Sequence, residues 1–276
     1  MPIPVNLLLP NGQLQQAPIM ADTLNDFGLK EPAGIYTVAR TYQRTKTVLF
    51  EAHLDRLEES ARLENITLNL DRMSLRKGLS VFLEKCGFQE SRFRITIPKA
   101  QPGPIWLAAE PLQPAPAELK RDGVMVATCE IERPNPKAKS NAWVSLRNEA
   151  TRCISKEAYE GIILNQDGYL MEGFQSNFYA IVGETLFTAD SGILHGIARR
   201  IVMEITPALI GIQFSPIHRD QVLQIQEAFL TSSSRGIVPV VKIDQTRIAD
   251  GNPGANTHHL CTAYDRWVEK NMLPIA

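Results

Sequence analysis

Leu170-Met171-Glu172-Gly173-Phe174-Gln175-Ser176-Asn177-Phe178 joins two segments that read as strands, Tyr169 to Met171 and Phe178 to Val182, and leaves a carboxylate, Glu172, at a strand end. Upstream, strands are expected at Val124 to Thr128 and Gly161 to Asn165; helices are expected near Ser145 to Lys156, Ala198 to Ile205 and Thr257 to Glu269. Strands and helices mix here without strict βαβ alternation, which predicts an α+β fold.

Farther toward the N terminus the pattern changes. Ile35 to Tyr42 is rich in β-branched and aromatic residues and reads as a strand, with Val48-Leu49-Phe50 as a second strand forming a hairpin with it. His53 to Leu63 sets Leu54, Leu57 and Ala61 on one face of a helix. A second helix, about Met73 to Cys86, ends at Gly87, a residue suited to a C-terminal cap. Phe93 to Pro98 and Ile105 to Ala109 read as paired strands around a Pro-Gly turn, and Pro111 to Ala117 is a Pro/Ala-rich connector. The expected division is a small N-terminal domain, 1–112, a connector, 113–121, and a larger domain, 122–276.

Composition narrows the function. The chain has 276 residues, long enough for a sizeable core, and its 29 Lys and Arg against 30 Asp and Glu lack the basic excess that binding a nucleic-acid backbone requires. Cys86, Cys129, Cys153 and Cys261 form no C-x-x-C pair, which argues against structural zinc and a disulfide framework, and a reducing compartment is expected. His258 and His259 are adjacent on an expected helix and cannot share a face, so no metal site is expected there. The apolar run in Met1 to Pro10 has no basic segment before it, and no stretch nears ~18 consecutive apolar residues. The expectation is a cytoplasmic protein with no membrane or nucleic-acid partner.

Four segments carry chemistry in combination: 52–57 with Arg56, 135–141 with Lys137 and Lys139, 170–178 with Glu172, and the hydroxyl-rich Leu230 to Val240. Singly, each reads as a solvated charge or a turn. Together, a cation, hydroxyls with turn amides, a loop lysine and a strand-end glutamate are what a phosphorylated aldehyde cofactor needs. Arg and turn N–H groups suit its phosphate. The glycine-bearing turn Gly192 to Gly196, running into a helix at Ile197, adds unpaired N–H groups.

In wording and spacing these segments resemble the class IV, or fold type IV, pyridoxal-phosphate enzymes, which include branched-chain and D-amino acid aminotransferases and 4-amino-4-deoxychorismate lyases. The resemblance runs from about Gly34 to the C terminus. It implies a two-domain α+β fold, a small N-terminal α/β domain and a larger mixed β pseudo-barrel domain with helices. His53-Leu54-Asp55-Arg56-Leu57 with Ser60-Ala61 is similar to the family's helix whose arginine binds the cofactor phosphate, which points to Arg56. Glu172-Gly173-Phe174-Gln175-Ser176-Asn177-Phe178 is similar to the E-G-x-x-x-N element, so Glu172 would face the pyridine nitrogen, with Ser176 and Asn177 at the cofactor.

Counting back from Glu160 puts the family's Schiff-base lysine at Lys139, 21 residues upstream; Lys137, at 23, is the competitor. Ile193 to Arg199 is similar to the phosphate turn, giving Ile197 and Ala198 as backbone ligands, with Ala198 where threonine is usual. Thr231 to Arg235 matches the second phosphate loop, with Ser233 and Ser234 at the cofactor and Ser234 and Arg235 facing the substrate. Tyr36, Arg40, Lys99 and Trp143 are pocket residues by position; Tyr36 and Trp143 could equally be core aromatics.

The resemblance implies pyridoxal 5′-phosphate as cofactor and amino transfer between an amino acid, branched-chain-like or D-, and a 2-oxo acid. It also implies a homodimer with active sites near the interface. The lyase reaction is the runner-up. A silent cofactor-binding homologue is a third reading, motivated by Thr37 where the family has glutamate and by Pro98-Lys99-Ala100 in place of a usual Arg-Gly loop. Retention of Lys139 and Glu172 counts against it.

Overall fold

The computed structural model describes every residue except 114 and 115, so that part of the expected connector lies outside the described residues. In chain order the elements are β1 Val5–Leu8, β2 Leu14–Gln16, α1 Leu24–Lys30, β3 Gly34–Arg40, β4 Lys46–Thr47, α2 Phe50–Leu63, α3 Arg72–Cys86, β5 Ser91–Pro98 and β6 Ile105–Pro111. There follow α4 Ala117–Arg121, β7 Val124–Glu130, α5 Ala142–Cys153, β8 Glu160–Leu164, β9 Leu170–Gly173, β10 Asn177–Val182, β11 Thr185–Phe187 and α6 Ile197–Ile205. The chain closes with β12 Gly211–Gln213, β13 Glu227–Ser232, β14 Gly236–Ile243, β15 Thr246–Arg247, α7 Ala255–Asn271 and β16 Leu273–Pro274.

Two compact units emerge. The first comprises Met1–Gln113, Lys137–Ser145 and Asn271–Ala276; the second comprises Pro114–Pro136 and Leu146–Lys270.

Unit 1 is built on an antiparallel sheet in the order β2-β1-β6-β5-β3. Alternation along β6 sends Leu107 and Ala109 into a core with Leu54, Leu57 and Ala61 of α2 and Leu75, Leu79 and Phe82 of α3. Ala108, between them, joins Leu24 and Phe27 of α1 in a separate cluster. Burying a leucine such as Leu54 or Leu57, each with no exposed surface, contributes about 1.5–3 kcal/mol. The apolar N-terminal run becomes β1, an inner strand between β2 and β6. Gly87 does cap α3, in the left-handed conformation with its N–H on Glu84 O.

One expected strand is absent. Val48-Leu49-Phe50 does not pair with Ile35 to Tyr42: Leu49 has φ 50°, and Phe50 opens α2, its ring 6.4 Å from that of Phe93. A left-handed residue breaks the extended run, and the aromatic serves the core from a helix instead. β4, just upstream, pairs with β16 from the far end of the chain.

Unit 2 holds a mixed sheet in the order β12-β11-β10-β13-β14-β7-β8-β9. A further pairing, Asn177 of β10 with Glu172 of β9, closes β10, β13, β14, β7, β8 and β9 into a ring. The parallel pairs are β7–β8, β7–β14 and β11–β12. Val126, Ile162, Leu164, Phe178, Leu230 and Val238 are among the residues that fill its core. The expected α+β fold with a β pseudo-barrel is therefore present, and the closure falls on the Glu172–Phe178 stretch. No helix among the described residues is long and apolar enough to cross a membrane.

Candidate active site

The residues singled out from the sequence fall into two sets, one in each unit. In unit 1, Lys139 lies beside the start of β3: Tyr36 N–H donates to Lys139 O at 2.9 Å, Asn141 N–H donates to Gly34 O at 3.0 Å, and Ile35 bridges Ser140. These bonds explain why Lys137–Ser145 packs with unit 1, although the sequence places it within the span of the larger domain. Lys139 N–H also donates to the buried Ser60 Oγ of α2 at 3.0 Å. Lys137 is exposed; Lys139 is half-buried, its Nζ 4.9 Å from the Tyr36 ring centroid.

The same ring carries a second cation, with Arg94 Cζ 3.5 Å from its centroid. Arg94 is buried and pairs with Glu31, donating from Nε at 2.9 Å and also from Nη2. Asn141 joins this network to the lysine segment: its Nδ2 donates to Glu31 Oε1 at 3.1 Å and to Pro32 O at 2.8 Å, and its Oδ1 accepts from Gly34 N–H at 2.9 Å. A buried guanidinium needs such a partner because an isolated ion loses its hydration.

Arg56, on α2, donates from Nη2 to Thr37 Oγ1 at 2.8 Å; the same oxygen lies 2.7 Å from His53 Nδ1. Thr37 thus supplies a neutral acceptor where a carboxylate was looked for. Trp143 is buried. Arg40 is elsewhere: four residues along β3 from Tyr36, about 13 Å at strand spacing, it donates to Glu90 at 2.6 Å and lies over the Tyr42 ring.

In unit 2, Glu172 is the penultimate residue of β9, with 2% exposure. Its Oε1 accepts from Arg133 Nη1 at 2.7 Å and its Oε2 from Leu194 N–H at 3.1 Å. Arg133 is itself buried. Asn177 holds the other end of the same turn, Nδ2 donating to Leu194 O at 2.7 Å and Oδ1 accepting from Gly196 N–H at 3.3 Å. A Cβ at Gly196 would come 2.4 Å from Asn177 Oδ1, so only glycine allows this approach. α6 then begins at Ile197 with no side-chain cap, and Ile197 and Ala198, both buried, present their N–H groups at its first turn.

α6 packs against β13, and β13 pairs with β10 so that Asn177 faces Thr231. Ser232 pairs with Gly236, making Ser233, Ser234 and Arg235 the tip of a hairpin. Arg235 is anchored: Nε donates to Ser232 Oγ at 2.9 Å and Nη2 to Glu160 Oε2 at 2.8 Å. Burial works against its charge, but Glu160 and Tyr159 outweigh that and hold the guanidinium above its ordinary value. Glu160 Oε1 accepts from Gln175 N–H at 2.6 Å and Ser176 Oγ at 2.8 Å, tying the Glu172 loop to the serine hairpin.

Sequence reasoning missed Arg133, Thr37 as an acceptor, the Glu31–Arg94–Asn141 network, and the role of Glu160, which served only as a counting mark. Nothing local distinguishes Arg133 in Glu132-Arg133-Pro134 from a solvated cation. Among the described residues no group of three or more His, Cys, Asp or Glu is placed to hold a metal.

The donor set fits a phosphorylated pyridine aldehyde. Within unit 2 a buried carboxylate and an uncapped helix N terminus hang on one short turn, 194–197, suiting a cationic ring nitrogen and an anionic phosphate. Unit 1, taken by itself, holds an amine, Lys139, and a further cation, Arg56.

The family model for class IV amino-transferases matches residues 34–243. The chain is 28% identical over 257 residues to a probable branched-chain-amino-acid aminotransferase of Thermotoga maritima, covering 88% of this chain and 90% of that one. It is 24% identical over 274 residues to a D-alanine aminotransferase of Bacillus licheniformis, covering 92% and 94%. The fold matches that of the solved branched-chain amino acid aminotransferase of Escherichia coli, with TM-score 0.82, 20% identity and 100% coverage of both chains.

Proposed function

The chain belongs to the class IV aminotransferases, and from that premise we propose that it moves an amino group between an amino acid and a 2-oxo acid, with Lys139, Glu172 and the turn before α6 as its working groups. The observation that carries this reading is the pairing on one turn of Leu194 N–H with the Glu172 carboxylate and of Gly196 with the start of α6. That turn offers opposite polarities three residues apart, which is how a zwitterionic cofactor is oriented.

Pyridoxal 5′-phosphate, the cofactor of this family, supplies when bound an electron sink that makes the α-hydrogen of an attached amine acidic. Glu172 would keep a negative charge at the ring nitrogen and so favour its protonated form. Arg133 fixes the Glu172 carboxylate in direction. The N–H groups of Ile197 and Ala198, the Ser233 and Ser234 hydroxyls and Arg56 would hold the phosphate. Lys139 would first anchor the cofactor and then carry a proton to and from the substrate α-carbon. Tyr36, beneath its Nζ, excludes water from one side of that amine.

The names of the relatives support branched-chain-like or D-amino acids as donors, and the family resemblance supports a homodimer. The test is an absorption titration of the purified holoenzyme with a panel of L- and D-amino acids. Conversion of a band near ~415 nm to one near ~330 nm by a donor, reversed by a 2-oxo acid, is expected. A band inert to every donor, with pyruvate released from aminodeoxychorismate, would replace this reading by the lyase.

A further inference from the structure

The Arg235 guanidinium is held along one edge by Ser232 and Glu160. Nε on Ser232 Oγ and Nη2 on Glu160 Oε2 use the side of the fork, and the Tyr159 ring centroid lies 5.3 Å from Cζ. Neither Ser232 nor Glu160 takes the end-on edge, Nη1 and the second Nη2 hydrogen, and Tyr159 is the further side chain that supports the charge. The side chain keeps 25% of its surface while its partner Glu160 keeps 3%.

Glu160 is fully committed, because its other oxygen already takes Gln175 N–H and Ser176 Oγ. It therefore holds Arg235 in place without offering a site of its own. A planar fork whose end-on edge is not taken by Ser232 or Glu160 matches a carboxylate in a bidentate manner. Arg235 stands at the tip of the hairpin, directly after Ser233 and Ser234 in the chain, the residues proposed for the cofactor.

Resting on the proposed function, we infer that Arg235 receives the carboxylate of the amino-acid and 2-oxo-acid substrates through its end-on edge, with Glu160 as the positioning residue that fixes the fork. A lysine there would carry the charge but not the fork. The competing reading is an internal clamp that joins the hairpin to β8 and meets no substrate.

Two measurements on holoenzyme separate these. The first is calorimetric titration with 4-methylvalerate, a carboxylate with no amine, of wild type, Arg235→Gln and Arg235→Lys. Loss of one charge-assisted bidentate contact should weaken binding about 30-fold in Arg235→Gln and less in Arg235→Lys. The second compares the half-reaction with leucine, of whichever hand reacts, and with 3-methylbutylamine, which has the same side chain and no carboxylate. In Arg235→Gln the loss for leucine should exceed that for the amine by about the same factor, chiefly through KM.

Equal losses for both amines, or equal 4-methylvalerate binding by wild type and variant, would make Arg235 a clamp, as would absence of saturable binding to wild type. If wild type converts no amine at all, the proposed function fails, while the 4-methylvalerate titration still decides the role of Arg235.

Discussion

Arg133 Nη1 donates to Glu172 Oε1 at 2.7 Å, and both side chains are almost without exposed surface, at 6% and 2%. The pair joins the loop after β7 to the penultimate residue of β9. Removing one member takes a charged partner from the other. Arg133→Met should cost up to about 3–5 kcal/mol in urea unfolding because the buried Glu172 carboxylate loses a charged partner. The double variant Arg133→Met with Glu172→Leu should recover most of that stability while remaining inactive. A double variant no more stable than the single one would contradict this account of the pair.

Glu172→Gln is nearly isosteric and retains an acceptor for Leu194 N–H, so the turn before α6 should hold. The expected outcome is retained cofactor binding with turnover down by about 10²–10³-fold, since a neutral amide does not favour a protonated ring nitrogen. Single-turnover absorbance with the best donor measures it.

Thr37→Val deletes the oxygen that accepts from Arg56 Nη2 and lies against His53 Nδ1. Arg56 then loses an orienting contact without losing its charge. Cofactor affinity, read by equilibrium dialysis, should fall about 5–10-fold, and Arg56→Met should lower it further, consistent with ~1–2 kcal/mol per hydrogen bond to a charged group. Thr37→Ser should restore most of the loss.

Burial pushes the Cys86 and Cys261 thiols up to about 11, Cys261 also feeling Lys120 and Asp265, whereas Cys153 is exposed. Near pH 8 alkylation should therefore label Cys153 well before Cys86 and Cys261, read by peptide mass spectrometry. These raised values also set a sign for stability. Below the unfolded thiol value near 9 both states hold their protons and the contribution is constant. As pH rises toward 11 the unfolded chain releases protons that the folded chain keeps, so stability should fall across that window. Serine at both positions should flatten the fall.

Much of unit 1 was legible because its elements obey a simple period: β5 and β6 alternate, and α2 sets Leu54, Leu57 and Ala61 on one face. Val48 to Phe50 misled because β-branched and aromatic residues favour strands locally, while the left-handed Leu49 and the partner strand β16 are set by tertiary contacts. The barrel closure rests on Asn177 facing Glu172, a pairing with no sequence period of its own. Glu172 and Lys139 are proposed from motif spacing; the burial of Arg133 and Arg94 has no such signal, since a buried arginine is known only from the carboxylate that meets it in space. Arg40 was named by position, and its partner Glu90 has no sequence signal.

The central claim is that Lys139 bears the cofactor. Its most direct test is borohydride reduction of the holoenzyme followed by proteolysis and mass spectrometry of the phosphopyridoxyl peptide. The label is expected on Lys139 at about one per chain and absent from a folded Lys139→Ala variant. A label on Lys137, or none on wild type, would contradict the account.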